Sequence, residues 1–164
     1  MIDKINGLID WLKNQENEKT KQTKPDLLSA IESKEKFTSP NVIICRRYLE
    51  DKQNDMNAIK NSLPEIEKNV VYLFDPNQIK SNIKTDQKNI IFVGQYFDYN
   101  KTGTEIAREI KGMWLDTEII LVTSIDVYCW ERSACDYFFK IDKKMNKSDW
   151  ANIIVDYLKN KINN

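Results

Sequence analysis

From residue 41 onward, short β-rich apolar runs alternate five times with longer stretches of helical character. The runs fall at 42–45, 70–74, 90–93, 118–122 and 137–139, and the intervening segments read as helices over 50–63, 77–83, 104–113, a short stretch at 127–134, and 148–162. The first four runs are apolar at consecutive positions. That pattern marks strands buried on both faces, because a strand with one wet face would alternate polar and apolar residues. Strands separated by helices need crossover connections, so the rhythm predicts an α/β domain with a doubly wound parallel sheet and helices on both of its faces.

A chain of 164 residues suits one well-buried core with an appendage. The appendage is the segment 1–40, expected as a helical N-terminal extension to an α/β domain at 41–164. Within it Ile2, Ile5, Ile9 and Leu12 recur at helical spacing, and Pro25 can open a second helix carrying Leu27, Leu28 and Ile31. The last helix of the chain is the clearest element. Ser148 is placed to cap it, and Trp150, Ile153, Ile154, Tyr157 and Leu158 form its apolar stripe.

Composition narrows the chemistry. Lys+Arg and Asp+Glu are both 25, so no net positive charge favours nucleic acid as a partner. The opening residues mix charges into every turn, so neither a signal peptide nor a membrane span is expected there, and a cytoplasmic location is. With no histidine, the chain has no Ser-His or Cys-His nucleophile pair, no imidazole metal ligand and no phosphohistidine. Four glycines leave no phosphate-cradling loop after any strand. Cys45, Cys129 and Cys135 lack metal-site spacing and read as reduced packing residues. Trp114, Tyr128 and Trp130 lie near helix ends, where such residues anchor interfaces when exposed; in a chain of this size they read as half-buried caps of the core.

In an open parallel sheet, ligands gather where strands end and helices begin. Those positions hold Arg46 and Arg47 after the first strand, Asp75 after the second, Gln95 and Asp98 after the third, Thr123, Ser124 and Asp126 after the fourth, and Lys140 after the fifth.

Here the chain resembles the receiver domain of bacterial response regulators. The stretch IIFVGQYFDYNKTGTEIAREIKGMWLDTEIILVTS is similar to the part running from the phospho-accepting strand to the strand that ends in a hydroxyl residue, and ACDYFFKID is similar to the lysine-terminated fifth strand. The resemblance covers residues 41 to 162 and implies the strand order 2-1-3-4-5. It places Gly103 at the loop glycine, Thr123 and Ser124 at the switch hydroxyl, Tyr137 at the switch aromatic and Lys140 at the phosphate-contacting lysine.

The departures from that pattern carry the functional expectation. Gln95 falls on the phospho-accepting aspartate, and a neutral amide has no carboxylate oxygen to attack a phosphoryl donor. The acidic pair that holds Mg²⁺ in the family is replaced by Arg46 and Arg47, or in the neighbouring register by Cys45 and Arg46. Mg²⁺ takes oxygen ligands, which guanidinium groups do not supply. The segment from Thr123 to Lys140 is also shorter than usual, which shrinks the fourth helix.

Three functions remain in view. The first is a phosphorylation-independent pseudo-receiver in two-component-type signalling. It would be a non-enzymatic regulatory protein that needs no cofactor and contacts a protein partner or a second copy through the N-terminal or last helix. The second is a sensor whose cationic pocket of Arg46, Arg47, Gln95, Thr123, Ser124 and Lys140 takes a small anion, phosphate or nucleotide. Its plainer counterpart is an arginine paired with Asp75, Asp98 or Asp126 while the other faces water. The third is an enzyme using Asp75, Asp98 or Asp126, which requires at least two of those carboxylates to converge.

Overall fold

The computed structural model describes residues 39–163 apart from Tyr99, Trp114, Lys143 and Met145. The extension expected over 1–40 therefore lies, but for Ser39 and Pro40, outside the described residues, as does Trp114. The chain runs β1 (Asn41–Cys45), α1 (Leu49–Ser62), α2 (Pro64–Glu67), β2 (Val70–Leu73), α3 (Ile79–Asn82), β3 (Asn89–Val93), α4 (Gly103–Lys111), β4 (Thr117–Thr123), β5 (Tyr137–Lys140) and α5 (Lys147–Ile162). Short 3-10 turns precede α3, at Pro76–Gln78, and β5, at Arg132–Ala134. The strands form one five-stranded parallel sheet in the order β2-β1-β3-β4-β5, as the resemblance implied.

Side chains alternate across a strand, and the two halves of the core follow from that period. Val42, Ile44, Ile90, Phe92, Ile120 and Val122 pack on one face with Ile59 of α1, Ile66 of α2 and Trp150, Ile154 and Leu158 of α5. On the other face Ile43, Cys45, Ile91, Val93, Ile119 and Leu121 pack with Ile79 of α3 and Ile106 and Ile110 of α4. Central strands β1 and β3 are buried throughout, whereas β2 is only half-buried over Val70–Tyr72, because it forms a sheet edge. At the opposite end of the strands from the loops discussed below, Asn41 donates to Asn89 at 2.8 Å and to the Asn82 carbonyl at 2.9 Å. Since Asn41 and Asn89 are also register partners, this buried pair fixes how β1 and β3 align.

Several sequence expectations are corrected. α5 begins at Lys147 with Asn146 at its N-cap, because the Asp149 carboxylate reaches back to accept the Asn146 N–H at 2.7 Å; Ser148 lies inside the first turn. Over 127–134, only the 3-10 turn Arg132–Ala134 is helical. Cys129, Tyr128 and Trp130 in this segment are exposed, not packed. The other cysteines do pack. Burial, helped by the charge of Asp75, pushes the Cys45 thiol up to about 12, and burial with Asp136 pushes Cys135 up to about 11.

Gly103 starts α4 against the β3 end. A Cβ there would lie 2.0 Å from the Gly94 carbonyl oxygen, so the helix can approach the strand this closely only without a side chain. Gly103→Ala should therefore lower unfolding stability by about 1–3 kcal/mol or more, read by urea denaturation, while Gly94→Ala, whose Cβ meets nothing closer than 3.8 Å, costs less.

Candidate functional site at the strand ends

Between the ends of β1, β3 and β4 lies a cleft of ≈ 390 Å³, lined among others by Arg46, Arg47, Gln95, Thr123, Ser124 and Trp150. It sits where the strand order reverses between β1 and β3, the position at which such sheets hold ligands. The geometry brings together all the predicted pocket residues except Lys140, which lines an adjoining depression with Ser124, Asp126 and Asp142.

Arg46 is held where β1 leaves the sheet, its N–H donating to the Leu73 carbonyl at 3.1 Å. Its guanidinium then turns toward α1. Nη1 donates to both Asp55 oxygens at 3.0 Å, and Nη2 lies 3.2 Å from Asp51 Oδ2. The guanidinium carbon stands 3.9 Å from the centre of a Trp150 ring on α5. Tyr72 of β2 adds its hydroxyl, donated to Asp55 Oδ2 at 2.8 Å. The charged side chains are enclosed, at 12 % exposure for Arg46, 6 % for Asp51 and 0 % for Asp55. Burial pushes the Asp55 carboxyl up from its ordinary value, against the pull of Arg46 and Tyr72.

At the wall of the cleft, Gln95 engages the start of α4. Its Oε1 accepts the Thr104 N–H at 3.1 Å and its Nε2 donates to Thr104 Oγ1 at 3.1 Å, while its carbonyl accepts the Gly103 N–H at 2.9 Å. Thr102 and Glu105 complete this helix start with a capping box. Both ends of the buried amide are therefore engaged. Thr123 is buried, and its hydroxyl accepts the Ile125 N–H at 3.3 Å.

The remaining cations at the strand ends are paired at the surface. Arg47 bonds Asp98, Lys140 bonds Asp126, and Lys147 of α5 bonds Glu50 of α1. Asp75 accepts the Asn77 N–H at 2.9 Å and so caps the Pro76–Gln78 turn. Asp75, Asp98 and Asp126 therefore serve separate loops, and none of them lines the cleft, so these three do not converge there as a reaction built on them would require. Tyr137 at the sheet edge meets the Tyr157 ring edge-on at 5.4 Å.

Sequence reasoning missed Asp51, Asp55, Tyr72 and Trp150 as parts of the site. A signal was present. Asp51, Asp55 and Ile59 lie four apart on one face of α1, and Ile59 is core; carboxylates in line with a core residue need a cation. Mg²⁺ does not fit these residues. Of the two carboxylates that line the cleft, Asp51 is paired with Arg46 and Asp142 accepts the Lys144 N–H at 3.0 Å; Gln95 offers an amide, and no group of three or more metal-binding side chains occurs among the described residues.

The fold is that of response-regulator receiver domains. The response regulator domain of Thermotoga maritima CheB matches with a TM-score of 0.54 at 14% identity, covering 76% of this chain and 97% of that one. A CheY-like response regulator receiver domain from Methylobacillus flagellatus matches with a TM-score of 0.51 at 10% identity, covering 73% of this chain and 98% of that one. No protein-family model and no curated protein matches the chain.

Replacing Arg46 by Met leaves Asp51 and Asp55 enclosed without a cation, and the expected loss is about 3–5 kcal/mol in urea denaturation. The loss should narrow at acid pH. Without the guanidinium, the Asp55 carboxyl rises further above its unfolded value, so the variant's stability falls as pH increases through it. A deficit independent of pH would contradict this arrangement.

Proposed function

We propose that this receiver-fold domain is a regulatory protein that takes up no phosphoryl group and acts through contacts with a protein partner. The observation that carries the reading is the state of the β3 end. There Gln95 stands eight residues before Gly103, as the phospho-accepting aspartate does in the resemblance, and its amide is bonded at both ends to Thr104. An amide so engaged supplies no nucleophilic oxygen. Support also comes from Arg46, whose side chain fills the β1 side of the cleft with a positive charge already balanced by Asp51 and Asp55.

The fold by itself assigns no function, and the reading therefore rests on these residues. It makes the domain a fixed recognition unit in a signalling system, working in the cytoplasm and without catalysis of its own. No described helix is long and apolar enough to cross a membrane. The contact surface would be the region of β5, the segment before it and α5, where Tyr137 and Lys140 stand exposed. The small-anion alternative gains little, since Arg46, Arg47 and Lys147, which line the cleft, each face a carboxylate.

Incubating the full chain with an acyl phosphate donor and Mg²⁺ should leave its intact mass unchanged. Gln95→Asp, which returns a carboxylate but no metal ligands, should also remain unmodified. A phosphoryl adduct on the natural chain would overturn the proposal.

A further inference from the structure

We infer that the turn carrying Tyr128 and Trp130 docks an acidic segment of a partner protein. This rests on the protein-contact reading above and names the surface and the chemistry that fits it. Between β4 and β5 the chain makes no helix beyond Arg132–Ala134, yet the segment is built. The Tyr128 carbonyl accepts the N–H groups of Glu131 at 3.0 Å and Arg132 at 3.2 Å, and the Glu131 carboxylate accepts the Tyr128 N–H at 3.2 Å. Ser133 donates its hydroxyl to the Trp130 carbonyl at 2.9 Å. Arg108 of α4 reaches the edge of the turn, its Nη2 3.4 Å from the Glu131 carbonyl oxygen.

On this frame the two rings stack on each other, centroids 6.2 Å apart and 11° from parallel, with Tyr128 71 % and Trp130 65 % exposed. Neither ring joins either half of the core. Ordered, exposed aromatic rings of this size are the side chains that dominate binding energy at protein interfaces, and a preformed turn spares the entropy of ordering them.

Charge selects the partner. Arg108 and Arg132 flank the turn and form no ion pair among the described residues, whereas the other two arginines, Arg46 and Arg47, each meet a carboxylate. Arg132 lies 4.4 Å over the Phe138 ring of β5, so one cation sits on each side of the turn, toward α4 and toward β5. A segment with carboxylates spaced around an apolar or aromatic residue would meet two guanidinium groups and a stacked ring pair at once.

The test is an NMR titration of the full chain with a random glutamate–tyrosine copolymer, following the Trp130 indole N–H. A lysine–tyrosine copolymer and a thymidine oligonucleotide serve as comparisons. The expected result is a saturable shift of Trp130 with the acidic copolymer alone, weakened about tenfold by Trp130→Ala or by Arg108→Gln. Both substituted residues are exposed, so the thermal midpoint should stay within a few degrees, which separates lost binding from lost fold. A Trp130 response to the oligonucleotide but not to the copolymer would overturn the inference in favour of a base-stacking platform. No Trp130 response to the copolymer, or one undiminished in Arg108→Gln, would also overturn it. Neither result touches the wider proposal, which is decided by the phosphoryl-transfer experiment.

Discussion

The guanidinium of Arg46 is the point on which the architecture of the strand ends depends. Enclosing a charge is costly, by several kcal/mol per ion even after relaxation, and here one cation is enclosed with two carboxylates. The cluster holds because each member has directed partners. Asp55 receives two bonds from Arg46 and one from Tyr72, Asp51 closes the fork, and Trp150 covers the guanidinium face. Through it β1, β2, α1 and α5 are tied at one place at the strand ends, beside the apolar core that packs the helices on that face.

This arrangement gives the fold's ligand-binding corner a different chemistry. In the receiver resemblance the end of β1 contributes acidic groups to the cleft. Here it contributes a cation, and the acidic groups sit on α1, turned inward. At the end of β3 the amide of Gln95 is directed into the start of α4, where it helps close the loop that Gly103 completes. Residues at these two positions are thus engaged within the fold, while the segment between β4 and β5 leaves Tyr128 and Trp130 exposed, the surface we propose for recognition.

How much was readable beforehand differs by element for physical reasons. The central strands were legible because burial on both faces demands consecutive apolar residues, as in Ile90 to Val93 and Ile119 to Val122. Gly103 was legible through its place in the pattern, and the 2.0 Å approach of a Cβ there gives the reason for it. The pairing of Arg47 with Asp98 was among the foreseen partners, but that of Arg46 was not, since strand ends were searched and the partners lie on a helix face. The segment 127–134 was misread because its apolar residues were credited to packing, when backbone and side-chain bonds within the turn hold it and leave Tyr128 and Trp130 in solvent.

If Arg46 supplies the positive charge of this corner, a divalent ion has no place to bind there. An NMR titration with Mg²⁺ that follows the Gln95 side-chain amide and the Arg46 guanidinium resonances tests this most directly. The account predicts that neither moves beyond the general drift caused by ionic strength. A saturable shift of either one would contradict it.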